Sequence, residues 1–309
     1  MISRQSIISA TKRRADNIGL PILALCWVSF FWGTTWLASR QGVKAMPALQ
    51  LAGIRQLIGG GLYVLFFLYK KAAWPKGKQW WPILVLSFLN FMLSNGLSTW
   101  GVQYINSGLG SIIGAIFPLW IVIILAVKGE RLPPLALMGM LLGFGGVCII
   151  FYDHLHDFLN SDFRFGIMLS IAATISWAIG TLYTKKQAAS FNPYFSLGLQ
   201  MVISGLALTG LTEVTGQTIP WAAIPATAWW AILYLVIIGS VLTFMAYIYS
   251  LQHLPTALAS VYAYINPVVA VLLGAAILQE PLNGYIAAGG SVTIGGVYLV
   301  NYAMRRGRN

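Results

Sequence analysis

Residues 108–132, GLGSIIGAIFPLWIVIILAVKGERL, and residues 257–282, ALASVYAYINPVVAVLLGAAILQEPL, run parallel to one another. Each is a long apolar stretch with an internal proline, Pro118 or Pro267, and a following turn at Glu130 or Glu280. The prolines are 149 residues apart and the glutamates 150. The correspondence continues outside these stretches. Gly145-Gly146 matches Gly295-Gly296 at 150, and Trp32-Thr35-Trp36 matches Trp177-Gly180-Thr181 at 145. A mostly apolar run of about 20 residues is what a helix needs to cross a bilayer core. The repeated unit is therefore built of membrane helices.

Further runs of this kind lie on either side. The sequence predicts ten spans, at 21–39, 47–69, 81–101, 108–127, 133–152, 164–186, 193–213, 227–250, 256–278 and 284–303. The expected fold class is an all-α membrane protein of ten transmembrane helices in two five-helix inverted repeats. Residues 1–20 form a basic N-terminal segment, 21–152 the first repeat (helices 1–5) and 164–303 the second (helices 6–10). Five is odd, so the repeats must run in opposite directions through the membrane. Inverted repeats place a binding site near the midplane at their interface and let the halves rock around it. That architecture predicts a carrier.

Composition supports the bilayer. Of 309 residues 58% are hydrophobic and 8% charged, against about 25% charged in a soluble domain. Soluble enzyme, secreted module and disordered chain are thereby excluded. The net charge of +12 does not point to nucleic acid, because the basic residues sit in short connections. With the N-terminus in the cytoplasm, 15 of the 19 Lys and Arg fall on the inner side and Arg40, Lys44 and Arg164 on the outer side. This asymmetry predicts both termini inside, in a bacterial cytoplasmic membrane. Trp74, Trp80, Trp81, Trp221, Trp229 and Trp230 fall near helix ends, where indole suits the interface. Cys26 and Cys148 are expected to be small packing residues rather than a disulfide.

The sequence resembles the drug/metabolite transporter superfamily and, within it, the EamA family of ten-helix carriers. The resemblance rests on Phe31-Trp32-Gly33 in helix 1 and Arg55 in helix 2. In each half it adds the helix 4 or 9 proline, the Glu turn and the Gly-Gly of the last helix. It covers residues 21–303. It implies export of amino acids or similar small polar or aromatic metabolites, without naming one. A multidrug or nucleotide-sugar-like carrier of the same superfamily is the alternative.

Polar residues at helical spacing suggest the pathway. Asn90, Ser94, Ser98 and Gly101 share a face of helix 3, matched by Gly239, Thr243, Tyr247 and Ser250. Helix 1 offers Trp32, Thr35, Trp36 and Ser39; helix 6 offers Trp177, Gly180, Thr181 and Thr184. Helix 4 offers Ser107, Ser111, Ala115 and Pro118, against Thr256, Ser260, Tyr264 and Pro267. Small and hydroxyl residues also glue helices together, and the amides of Asn90 and Asn266 suit either role. The expected solute-binding residues are Trp32, Trp36, Arg55, Asn90, Ser94, Trp177, Tyr247 and Tyr264. Arg55 is the one ionisable residue deep within a span, and it would attract a solute carboxylate.

No Asp or Glu lies mid-span, which argues against a buried-carboxylate mechanism for lipophilic cations. Glu130 and Glu280 are expected to serve the N-terminus of the next helix. His253 reads as an interface residue. An intramembrane enzyme would need clustered catalytic groups, and His154-Leu155-His156-Asp157 is the sole His/acid cluster. A channel fits the inverted repeat poorly. No cofactor or metal is expected. Partners are a small-molecule solute and the lipid bilayer, with a homodimer through helices 5 and 10 open; Gly139, Gly143, Gly289 and Gly290 read as a packing surface or a dimer seam.

Overall fold

The structure, a computed structural model, describes residues 19–130, 132–187, 191–254 and 261–306. They form ten apolar helices: α1 Gly19–Ala45, α2 Ala48–Tyr69, α3 Gly77–Gly101, α4 Ser107–Val127, α5 Pro134–Tyr152, α6 Ser161–Thr184, α7 Pro193–Val214, α8 Ala226–His253, α9 Tyr262–Leu278 and α10 Gly284–Met304. All but α9 are long and apolar enough to cross a membrane as described. The predicted first turn of α9, with Thr256 and Ser260, lies outside the described residues, as does the predicted N-terminal segment apart from Gly19 and Leu20.

Local sequence sets the helix boundaries. Asn106 caps α4 by accepting the Leu109 N–H at 2.6 Å. Asn192 caps α7 by accepting from Tyr194 and Phe195, each at 3.0 Å, with Pro193 at the first helical position. The paired prolines act differently. Around Pro118 the α-helix is interrupted at Ile116, between Ser107–Ala115 and Phe117–Val127, as expected where a backbone donor is lost. Pro267 sits inside an unbroken Tyr262–Leu278.

Two seams join equivalent helices of the halves, α2 with α7 and α5 with α10. Both depend on glycine. A Cβ on Gly60 would lie 2.7 Å from the Gly198 carbonyl, and one on Gly139 2.7 Å from Val300 N. Lipid tails are as apolar as leucine, so close backbone approach and interhelical bonds hold such helices together. The glycines predicted as a packing or dimer surface thus serve contact within the chain.

The first helix of each half crosses to the other half. α1 packs against α8 and α9, and α6 against α3 and α4. The bundle therefore contains two bodies, α1–α8–α9 and α6–α3–α4, which touch where α9 crosses α4 and are flanked by the two seams. Large apolar side chains such as Leu65, Leu141 and Trp230 cover the outside. Cys26 and Cys148 are free and exposed there; they face outward rather than filling the interior as expected.

Candidate functional site

The third helix of each half widens into a π-helix at its middle, Ser87–Asn95 in α3 and Leu235–Leu242 in α8. Wide turns loosen the backbone ladder and are frequent at functional sites. Their carbonyls find partners on other helices. Gln56 Nε2 donates to Phe91 O at 3.1 Å, and Ser176 Oγ to Leu89 O at 2.7 Å. In α8, Tyr63 Oη donates to Val241 O at 2.7 Å and Trp32 Nε1 to Gly239 O at 3.4 Å. Gln56 also meets Asn95 at 3.2 Å and accepts from Ser204. Polar side chains of α2 thereby hold both π-helical segments.

Between the two bodies lies a cavity of about 170 Å³. Its walls carry Trp32 and Trp36 from α1, Arg55 from α2, Asn90, Ser94 and Asn95 from α3, and Thr174 and Trp177 from α6. Phe244 from α8 and Tyr262 and Asn266 from α9 complete the aromatic and amide surface. Drug-sized sites run to about 300–1,000 Å³, so this space suits a smaller molecule.

Arg55 is 5% exposed. Its Nε donates to Ser240 Oγ at 3.0 Å. The bare Cα of Gly239 makes room for its fork, since a Cβ there would lie 3.1 Å from Nη2. Among the described residues no ion pair includes Arg55. A buried cation without a counter-ion is costly unless an anion reaches it.

Trp32 is the centre of an aromatic cluster. Its ring lies 4.9 Å from Tyr247, 5.0 Å from Phe244, 5.1 Å from Tyr262 and 6.5 Å from Trp177. Trp36 lies over Gly110 and Gly114, where a Cβ would come within 3.1 Å and 2.8 Å of its ring. The carbonyl oxygens of Asn90 and Asn266 are buried without a hydrogen bond. Asn90 Oδ1 is pressed against the Cα of Gly180.

Six of the eight residues expected from sequence therefore meet around one space: Trp32, Trp36, Arg55, Asn90, Ser94 and Trp177. Two do not line it. Tyr247 stands behind Trp32 and Tyr262, 5.5 Å from the latter ring. Tyr264 points to α10, where its hydroxyl meets Asn301 and Val297 O. The α8 face that was expected to match α3 turns to α1 instead: Thr243 Oγ1 accepts the Trp27 N–H at 3.2 Å and Ser250 donates to Pro21 O at 3.4 Å. Of the other expected face residues, Thr35, Ser39, Ser98, Ser111, Ala115 and Pro267 line the cavity.

Sequence reasoning missed Tyr262, Phe244, Phe117 and Thr174. A signal existed for Tyr262, which lies four residues before Asn266 and so on its face.

One end group, Glu280, differs from expectation. Glu280 serves α4 rather than the next helix, accepting from Ser107 N at 2.8 Å. His154 and Asp157 pair in the connection after α5, beside a second hollow lined also by Tyr104 and Asn160. His253 is exposed and bonds to Tyr249 O at 2.8 Å.

With this geometry in view, likeness to known proteins becomes informative. The profile of the EamA-like transporter family matches residues 19–152 and 164–302. A Bacillus subtilis protein named as an uncharacterized transporter, YvbV, is 30% identical, with 90% of each chain covered. An Escherichia coli protein named as an uncharacterized inner membrane transporter, YedA, is 29% identical over 85% of each chain. A solved crystal structure with a TM-score of 0.63 covers 94% of this chain and 99% of its own at 18% identity. That last match concerns the fold alone.

Proposed function

Because this chain belongs to the EamA-like transporter family, we propose that it carries small carboxylate-bearing organic solutes, amino acids among them, outward across a bacterial cytoplasmic membrane. It is an integral membrane protein and a transporter; solute class, direction and orientation are our reading. The observation carrying that reading is Arg55, a buried guanidinium at the wall of a cavity, with no ion pair among the described residues.

A solute carboxylate would accept from the Arg55 fork, the geometry in which guanidinium binds carboxylate best. The amide of Asn266 lines the same space and its oxygen would accept from a solute ammonium or hydroxyl. The rings of Trp32, Trp36, Trp177 and Tyr262 would pack an apolar or aromatic side chain. Every group that touches the solute in this scheme is fixed in charge at neutral pH, so the scheme needs no proton on the protein. The charge asymmetry of the connections favours both termini in the cytoplasm, and the inverted halves would expose the cavity to each side in turn.

The test is counterflow in liposomes containing the purified protein. Labelled amino acids and other small carboxylates should exchange saturably, and the matching amides and esters should not. Saturable exchange of uncharged analogues with equal affinity would remove the carboxylate from the reading. Absence of exchange for every solute, by folded protein, would remove the reading altogether.

A further inference from the structure

Two charged residues outside the cavity lining join helices at one end of the bundle. Arg40, near the end of α1, donates from Nη1 to Val102 O at 2.6 Å and to Gln103 O at 2.8 Å, just past the end of α3. Glu280, just past α9, accepts from Ser107 N at 2.8 Å, Ser107 Oγ at 2.7 Å and Gly108 N at 3.2 Å, at the start of α4. Each charge matches the helix end it meets: a cation at a carbonyl terminus and an anion at an amide terminus. Both link the α1–α8–α9 body to the α6–α3–α4 body, and at the same end.

The backbone has been shaped around this contact. Gly274 has no side chain where Glu280 lies, and a Cβ there would sit 2.6 Å from Oε2 and 3.1 Å from Ser107 Oγ. Gln279 takes a left-handed conformation at φ 55°, and Glu280 N closes onto Gly274 O at 3.1 Å. The repeat counterpart, Glu130, is exposed at the opposite end. The two ends of a pseudo-symmetric protein are thus held differently. Beneath the contact, Ser111 lies one turn along α4 and lines the cavity.

We propose that Arg40 and Glu280 are the clasp that shuts the cavity at the α3–α4 and α9–α10 end, and that transport requires it to open. They are positioning residues and touch no solute. The charge-assisted bonds sit at the helix ends, beyond the apolar contact of Val271 with Gly108 where α9 crosses α4, so they can break by exchanging protein partners for water at the surface. The role in transport rests on the carrier reading; the contacts themselves do not.

The experiment labels a Ser111→Cys reporter, with Cys26→Ala and Cys148→Ala, using a membrane-impermeant methanethiosulfonate from each face of oriented vesicles. Glu280→Gln and Arg40→Gln should each raise the labelling rate from the clasp face by about tenfold, as loss of one charge-assisted contact shifts the closed population. The Glu130→Gln variant should leave that rate unchanged. A second measurement covers variants that fail to fold. Ser107→Cys with Gly274→Cys places two thiols within disulfide reach, given the 3.1 Å from a Cβ at 274 to Ser107 Oγ. Oxidation should stop exchange and reduction should restore it. Unchanged labelling in folded Arg40 and Glu280 variants, or full exchange by the oxidised pair, overturns the clasp. Labelling that responds in a protein carrying no solute keeps the clasp and removes the carrier reading.

Discussion

Arg55 on α2 and Ser240 on α8 meet with 3.0 Å between Nε and Oγ, across 185 residues of chain. The bond fixes the guanidinium plane against the α8 π-helix, with Nη2 beside Gly239, at the wall of the cavity. In the same widened segment Val241 O and Gly239 O accept from Tyr63 and Trp32.

Replacing Arg55 separates binding from folding. Arg55→Gln should raise the KM for carboxylate solutes by about 10- to 100-fold, the range of one to two charge-assisted hydrogen bonds. Maximal exchange should change less, because removing a buried cation also removes its desolvation cost. Arg55→Lys should recover little, since an ammonium cannot span the Ser240 bond and a carboxylate together. Counterflow KM values for all three proteins, with thermal unfolding as the control, give the answer; an unaltered KM in Arg55→Gln ends the carboxylate role.

The glycine seams predict a contrast within one helix. At Gly139 an added Cβ meets Val300 N and the Gly296 carbonyl at 2.7 and 2.8 Å, and backbone cannot step aside. Gly139→Ala should therefore cost about 1–3 kcal/mol through overpacking. Gly145 has nothing within 4 Å of its Cβ position. There Gly145→Ala should be neutral or stabilising, by about 0.5–1 kcal/mol from helix propensity. Melting curves in one detergent, read side by side, should place the two variants on opposite sides of the parent.

Tyr63 is 5% exposed and its hydroxyl donates to Val241 O in the π-helix at 2.7 Å. Tyr63→Phe keeps the ring and removes that bond, at a cost of about 0.5–1.5 kcal/mol. Amide exchange of α8 residues 241–245 should accelerate relative to the rest of the helix. Uniform exchange across α8 would mean that Tyr63 does not hold the π-helix.

The ten-helix plan was legible because bilayer thickness dictates span length and because the Pro118 and Pro267 segments repeat. Arg55 was legible for an equally simple reason, its solitude among apolar residues. The π-helices were not, since they depend on side chains such as Gln56 and Tyr63 arriving from another helix. Nor was the docking of Glu280 on α4. Its nearest sequence neighbour of opposite polarity is the start of α10, and only the crossing of α9 over α4 brings Ser107 within reach. Repeat matching also misled where the halves differ: the α8 face paired with Asn90 and Ser94 packs on α1, so its polar groups are consumed there.

Tyr262 and Tyr264 turn this lesson into a measurement. Two residues along a helix are about 200° around its axis, so the pair cannot share a wall. Tyr262 lines the cavity, 5.1 Å from the Trp32 ring, while Tyr264 bonds to Asn301 on α10. Tyr264→Phe should lower the melting temperature, as half-buried Asn301 loses a hydrogen-bond partner at about 0.5–1.5 kcal/mol, and leave KM as it was. Tyr262→Ala should enlarge the cavity and weaken the exchange of aromatic solutes more than of small aliphatic ones, because the lost contact is ring packing. If the two variants exchanged roles, with Tyr264→Phe changing solute preference and Tyr262→Ala only stability, the cavity assigned here would be the wrong one.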